Sequence, residues 1–591
     1  MTSVSSPAPA AAPPPLPPWA PEWAHRLTTT ARAGTTAVFV VHGNTHDLMP
    51  LAEGADAAYG QLATFLAEQV FGRYDLVLHY DLSRGLRAFG GRSVKRLQDM
   101  VTLAADHGLL LDGLKNDPAL ILQVLDGLIQ KIVLTANNRL KLAVLIDHAS
   151  FLFPSGEPGR MSVAGSSMLV TVLNWAASPH LKALDIAVLL IDERKSDLSE
   201  RMVGNPHVAA QEIPLPDQAE RQRFLSGLSS AAALGEVSDF AGPELAKLTA
   251  GLSLTNLRSL VLPALKGGSR LDRAMFRAMK KRLLEQQAQG LLEFIEPKWT
   301  LDTVVGLVAA KRRLREDAAL LAKGHLDAMP MGYLICGPVG TGKSFLVQCA
   351  AGEIGIPCVM LKNFRSKYVG ETEGNLERVL AVLRAMGPIM VVVDEADAAL
   401  GDRDQEGDAG TGSRVFAMIS NQMGDTRYRG QILWMLLTAR PDLLPIDIKR
   451  QGRAEVHIPL FYPTEEKELR EMFVALARKN GTSVEPEDIP KLPTGGNLSG
   501  SDIEGMVTRA WRASLIQGAA KITREALHNV VEQFMPSSQG LERELQELAA
   551  LLECTDRDFL TPAAAKKLDA NGGRSAIQQR LAEVRRLIEF D

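Results

Sequence analysis

The chain has 591 residues, 46% of them apolar and 23% charged, with a formal net charge of −4. Such fractions exclude a disordered or fibrous chain, and the length predicts roughly three to five folded domains. The near-balanced charge, without a basic cluster, argues against a nucleic-acid track, and no apolar run reaches the roughly 18 residues of a membrane span. Cys336, Cys349, Cys358 and Cys554 show no paired spacing, which suits a reducing compartment and predicts a cytoplasmic location.

In chain order, residues 1–20 form an Ala- and Pro-rich tail expected to be disordered and carrying no secretory signal. Residues 38–41 read as a buried strand leading into His42-Gly43-Asn44-Thr45-His46-Asp47. A helical stretch near residues 94–139 reads as an insertion. A second strand, 142–146, ends in Asp147-His148-Ala149-Ser150, and a third covers 186–191. Gly251-Leu252-Ser253 then opens a helical segment. His42, His46 and His148 lack a metal-ligand framework and read as ordinary loop or core histidines.

The second half carries the chemistry. A strand at 331–336 runs into Gly337-Pro338-Val339-Gly340-Thr341-Gly342-Lys343-Ser344 and then a helix at 345–352. Glycines between a strand and a helix let backbone N–H groups turn inward around phosphate, and the helix aims its positive end at the same point. Lys343 is placed to reach the β- and γ-phosphates, and Ser344 to bind magnesium. The apolar strand 389–393, of the kind buried on both faces, ends in Asp394-Glu395-Ala396-Asp397. Asp394 is read as holding magnesium through water, and Glu395 as the residue that polarises water. ATP and Mg²⁺ are therefore the expected cofactors.

The two halves share spacing. From Asp147 the offsets to Asp192, Ile213 and Ser253 are 45, 66 and 106; from Asp394 those to Thr438, Ile458 and Ser499 are 44, 64 and 105. This predicts an internal repeat. The first copy has no Gly-Lys-Ser/Thr and has His148 where the second has Glu395, so it is expected to be inert.

From residue 299 to 535 the chain resembles the AAA+ ATPases, in the branch of Cdc48-like and FtsH-like motors. The resemblance implies several roles. Tyr368 and Val369, in Ser366-Lys367-Tyr368-Val369-Gly370-Glu371, match the loop that lines a ring's pore, although a Tyr packed at a helix start would read the same. Arg450 and Arg453 match paired arginine fingers that complete a neighbour's site, which implies a homo-oligomer, usually a hexamer. Val305 and Gly306 match the stretch beside adenine. The family's polar sensor segment reads Thr438-Ala439-Arg440-Pro441-Asp442, with alanine for the usual asparagine and Thr438 as the candidate substitute. Leu498-Ser499-Gly500-Ser501-Asp502-Ile503 matches the start of a lid helix. The zinc motif of FtsH-like proteases is absent. An inert module followed by an active one is similar to the AAA proteins encoded by open reading frames of chloroplast and cyanobacterial genomes.

The expected fold class is α/β, a P-loop NTPase (AAA+) sheet with a helical lid, present twice and degenerate in the first copy. The expected domains are a tail (1–20), a degenerate large subdomain (21–216), its lid (217–290), a linker (291–298), an active large subdomain (299–462), its lid (463–535) and a helical C-terminal tail (536–591). Leu541, Leu545, Leu548 and Leu552 in that tail recur at helical spacing and read as a local packing face. The expected function is an ATP-driven, ring-forming remodelling motor that grips a protein substrate. A nucleotide-gated assembly scaffold is the alternative, and a nucleic-acid-remodelling ATPase the third reading.

Overall fold

Apolar runs with few polar interruptions become strands buried on both faces, and here they build two separate, mainly parallel sheets. The computed structural model describes residues 16–590 apart from 55–57, 136–139, 157–160, 229–230, 268–269, 289, 363–368, 401–408, 493–497, 536–539 and 571. The chain divides into two compact units, residues 1–284 and 285–591.

In the first unit the sheet strands are β1 (Val38–Gly43), β2 (Leu76–Asp81), β3 (Gly85–Ala88), β4 (Leu142–Asp147), β5 (Ile186–Ile191) and β6 (Val208–Ile213), in the order β3-β2-β4-β5-β1-β6. All neighbours are parallel except the β2–β3 hairpin. Five of six residues are buried in β1, β2 and β4, and all six in β5, as a sheet covered on both faces requires. The insertion-like stretch supplies two helices, Val94–Asp106 and Pro118–Leu134. The buried Trp175 indole donates to Asp126 at 2.7 Å, tying the second of these to helix Val163–Ala177.

The second unit repeats this order. Its strands are β7 (Leu292–Ile295), β8 (Gly332–Cys336), β9 (Cys358–Leu361), β10 (Ile389–Val393), β11 (Ile432–Thr438) and β12 (Val456–Pro459), arranged β12-β8-β11-β10-β9-β7. Strand for strand, β8, β9, β10, β11 and β12 take the places of β1, β2, β4, β5 and β6. The P-loop NTPase fold is present twice.

Register sharpens the repeat. Gly43 lies opposite Ile213, whereas Cys336 lies opposite Pro459, which puts Gly337 opposite Leu460. The partner of Ile213 is therefore Leu460 rather than Ile458, and both stand 66 residues beyond their strand-end aspartates (213 − 147 and 460 − 394).

Two stretches depart from the sequence reading. Residues 16–20, expected within a disordered tail, include Leu16 and Ala20, each only 7% exposed and packed in the first unit's core. Apolar residues too sparse to signal an element locally are held by tertiary contact. Residues 291–298, expected as a linker, contain the strand β7, which pairs antiparallel with β9 and closes the sheet edge. That edge would otherwise present unpaired backbone groups.

Helices beyond each sheet form lids. In the second unit Glu466–Lys479, Gly500–Ile516 and Arg524–Glu532 pack through Phe473, Val507 and Leu527. Ser499 and Asp502 cap the middle helix reciprocally. In the first unit Ser253 Oγ caps helix Leu254–Leu265 by accepting from the Asn256 amide at 3.1 Å. After the second lid come helices Gly540–Glu553, Pro562–Asp569 and Gly573–Phe590. Leu545, Leu548 and Leu551 are buried there against Ile577 and Val584, with Leu541, Leu552 and Phe461 at the margin. That stripe is a local packing face.

Candidate nucleotide site

At the end of β8 the chain turns at Gly337, φ +145°, into helix Lys343–Ile354. A Cβ on Gly337 would collide with the Leu460 carbonyl oxygen, so only glycine permits this exit. Gly340 (φ +84°) and Gly342 (φ +86°) are also left-handed, and Gly342 opens the helix. The Lys343 ammonium donates to the carbonyls of Gly337 (2.8 Å) and Pro338 (3.0 Å). Burial pulls its pKa below the ordinary lysine range, while Cys336, Asp394 and Asp397 act in the opposite sense. Thr341 donates to the Pro338 carbonyl at 2.9 Å. The loop is thus folded around its own lysine, with helix N–H groups directed into the turn.

The carboxyl ends of β10 and β11 deliver the acidic groups. Ser344 Oγ donates to Asp394 Oδ2 at 3.0 Å, bringing together two oxygens of the kind that bind a hard divalent cation. Glu395 follows with φ +48°, one of three non-glycine residues in the left-handed region among those described. Such a conformation costs about 1–2 kcal/mol, and Glu395 is exposed. Asp397, two residues on, accepts from Thr438 Oγ1 at 2.7 Å, and the same hydroxyl accepts from the Arg440 amide at 2.8 Å. Thr438 is 1% exposed, and Ala439 offers no polar side-chain group beside it. Thr438 therefore braces the strand ends, with its one proton committed to Asp397.

Beside the loop lies a cleft lined by Val304, Val305, Leu307, Phe461, Met472 and Leu476, with Glu468, Lys479 and Glu504 as its charged side chains. Gly306 turns at its edge (φ +65°). Lys479 pairs with Glu504 at 2.8 Å and stands 4.8 Å over the Phe345 ring. A Cβ on Gly340 would come within 2.9 Å of Ser499 Cβ and Oγ, so the loop tip meets the lid helix cap directly.

Three contacts had no sequence signal. Gln546 Oε1, on the first C-terminal helix, accepts from the Val339 amide at 3.1 Å. Tyr462 donates to the Val339 carbonyl at 2.6 Å beneath the Arg543 guanidinium. Arg585, on the last helix, donates to Asp442 at 2.5 Å, and Asp442 also accepts from Arg440. Burial raises the Asp442 pKa, but the bonds from Arg440 and Arg585 outweigh it and hold the carboxyl below its ordinary range. The C-terminal helices thus brace both the phosphate loop and the segment after β11.

The arginine pair splits. The Arg450 side chain is 60% exposed, with a long 3.7 Å ion pair to Asp447. That of Arg453 is 11% exposed and donates to the Asp447 carbonyl at 2.9 Å. Only Arg450 projects from this turn. Tyr368 lies outside the described residues, and Val369 begins helix Val369–Ala385.

The first unit keeps the frame and replaces the chemistry. Gly43 (φ +100°) turns against the Ile213 carbonyl as Gly337 does against Leu460. His148 (φ +54°) occupies the left-handed position of Glu395. Asp192 accepts from the Ser150 amide at 2.7 Å, spanning the strand ends as Thr438 and Asp397 do. His79 bonds Asp147 at 2.9 Å, and His46 pairs with Glu193 at 3.1 Å, which raises the His46 pKa. Asp47, 3% exposed, accepts from the amides of Leu254 and Thr255 (2.8 Å each), from Thr255 Oγ1 (3.0 Å) and from Asn44 (2.8 Å). A protein carboxylate sits on the lid helix N-terminus, where the dipole favours an anion.

Residues 8–214 match the AAA+ chaperone N-terminal Rossmann-like domain, residues 219–289 the AAA+ chaperone second helical domain, and residues 333–462 the ATPase family associated with various cellular activities (AAA). The chain belongs to the AAA+ ATPases. Among its AAA+ relatives, the uncharacterized AAA domain-containing protein ycf46 of Pyropia yezoensis is 23% identical over 58% of this chain and 71% of its own length. The ATP-dependent zinc metalloprotease FtsH 1 of Salinibacter ruber is 27% identical over 41% of this chain and 36% of its own. Protein mac-1 of Caenorhabditis elegans is 26% identical over 42% and 32%. The chain spans about a third of the length of the last two. Among the described residues no helix is long and apolar enough to cross a membrane.

Two substitutions test this geometry. Gly340→Val should force a left-handed β-branched residue against Ser499 and weaken nucleotide binding, measured by calorimetry, while leaving the fold cooperative. Asp47→Ala strips the lid helix of its anion and should destabilise the first unit by about 2 kcal/mol or more, read as a lower urea midpoint.

Proposed function

We propose that the second unit binds Mg²⁺-ATP and hydrolyses it, and that subunits assemble into a ring, a hexamer by family resemblance, that remodels a protein substrate. The observation that carries the reading is the Ser344–Asp394 pair beside Lys343, with Glu395 held in a left-handed turn at the same strand edge. In open parallel sheets ligands bind at the carboxyl edge where the strand order reverses, and β8 sits at that switch point.

In this reading the loop amides and the start of helix Lys343–Ile354 cradle the phosphates. Lys343 exchanges its two carbonyl acceptors for phosphate oxygens. Ser344 and Asp394 hold the magnesium ion, which supplies charge neutralisation across the phosphates when bound. Glu395 accepts a proton from the attacking water, and Arg450 is offered to a neighbouring subunit's site. Tyr368 and Val369 are the groups assigned to grip a polypeptide, by apolar and backbone contact that does not depend on sequence.

A second reading, a nucleotide-gated scaffold with slow hydrolysis, is favoured by one observation. The Thr438 hydroxyl donates to Asp397, and Ala439 has no polar side-chain group to orient water. Stimulation of turnover by an unfolded polypeptide separates motor from scaffold, since only the motor requires it.

Glu395→Gln should retain ATP binding and lose turnover about a hundredfold or more, measured as phosphate release; unchanged turnover sinks the assignment. The two arginines should part company. Arg450→Ala should keep nucleotide affinity and thermal stability but lose the rise of turnover per subunit with protein concentration. Arg453→Ala should lower the melting temperature, because it removes a buried, bonded cation.

A further inference from the structure

The cleft beside the phosphate loop holds one charged group without a partner. Its other two, Lys479 and Glu504, neutralise each other at 2.8 Å. Glu468, half-buried on helix Glu466–Lys479, faces the same cleft. No donor or cation among the described residues meets its carboxylate. Burial raises its pKa, and the neighbouring Glu465 and Glu471 raise it further. The carboxylate lies directly against Gly306, where a Cβ would collide with it. The positive φ of this turn, +65°, favours glycine, and the carboxylate sits against it at the cleft edge.

An unpaired carboxylate in a largely apolar cleft is costly unless the ligand brings a donor. The walls, Val304, Val305, Leu307, Phe461, Met472 and Leu476, are those of a slot for a flat apolar ring. A purine fills that slot with its ring faces and differs from other purines only at its edge. Adenine carries an amino donor at C6, whereas guanine carries a carbonyl acceptor there, as does hypoxanthine.

We propose that Glu468 is a specificity-determining residue that selects adenine, its carboxylate accepting a hydrogen bond from the exocyclic amino group and repelling the carbonyl of guanine or hypoxanthine. This rests on the nucleotide reading above and adds to it which base is taken and by what means. A charge-assisted bond with a mismatched acceptor as its alternative gives strong discrimination, because the wrong base leaves the carboxylate both unpaired and repelled.

The test uses the full-length chain and three probes: ATP, ITP and pyrophosphate, each measured by calorimetry with magnesium. The unaltered chain should bind ATP at least about tenfold more tightly than ITP. Glu468→Ala should bring that ratio close to one while pyrophosphate affinity stays the same. Glu468→Gln, whose amide can donate as well as accept, should gain affinity for ITP relative to the unaltered chain. An unaltered chain that binds ATP and ITP equally overturns the proposal, as does an ATP preference that survives Glu468→Ala. Because the readout is a ratio within one protein preparation, partial misfolding does not alter it. If the unaltered chain binds pyrophosphate but neither nucleotide, the nucleotide reading itself fails, and base selection with it.

Discussion

Everything at the candidate site depends on one close approach of backbone to backbone. The residue leaving the central strand must pass against the last carbonyl of the strand beside it, and only a glycine with positive φ can do so. Gly337 meets Leu460 in the second unit, and Gly43 meets Ile213 in the first. This exit turns the chain over the carboxyl edge of the sheet, where the next two strands, β11 and β10, lead into Thr438 and Asp394. The phosphate loop, the acidic pair and the lid contact all follow from where that glycine sends the chain.

The two units separate frame from chemistry. Sheet order, the glycine exit, the left-handed residue after β4 or β10, and the serine cap of the lid helix are common to both. What differs is where the carboxylate at each lid helix comes from. In the first unit the buried Asp47 carboxylate already bonds the lid helix amides. In the second, the lid helix carries its own carboxylate, Asp502, in its first turn, and Gly340 brings the phosphate loop against Ser499.

Much of this was legible because it is local. The loop Gly337 to Ser344, the Asp394-Glu395 pair and the Ser499 cap are contiguous motifs whose geometry follows from their own residues. The duplication was legible through spacing, and the strand order agrees with it. The rest depends on tertiary partners. The strand Leu292–Ile295 is too short to show a period and exists because β9 leaves an edge to cover. Leu16 and Ala20 sit in a composition that reads as disorder, yet they are buried. Arg450 and Arg453 look equivalent in sequence, and only the fold of their turn exposes one and encloses the other. Gln546, Arg585 and Glu468 belong to no motif; their positions against Val339, Asp442 and Gly306 arise from helix packing.

Two copies of one nucleotide-binding fold with the chemistry in only the second should hold one nucleotide per chain. Native mass spectrometry of the magnesium-loaded chain with a slowly hydrolysed ATP analogue counts bound nucleotides per subunit. One nucleotide per chain, lost in Lys343→Ala, is the expected result. Two per chain, or one that persists in Lys343→Ala, would place a nucleotide in the first unit and rule out an inert first copy.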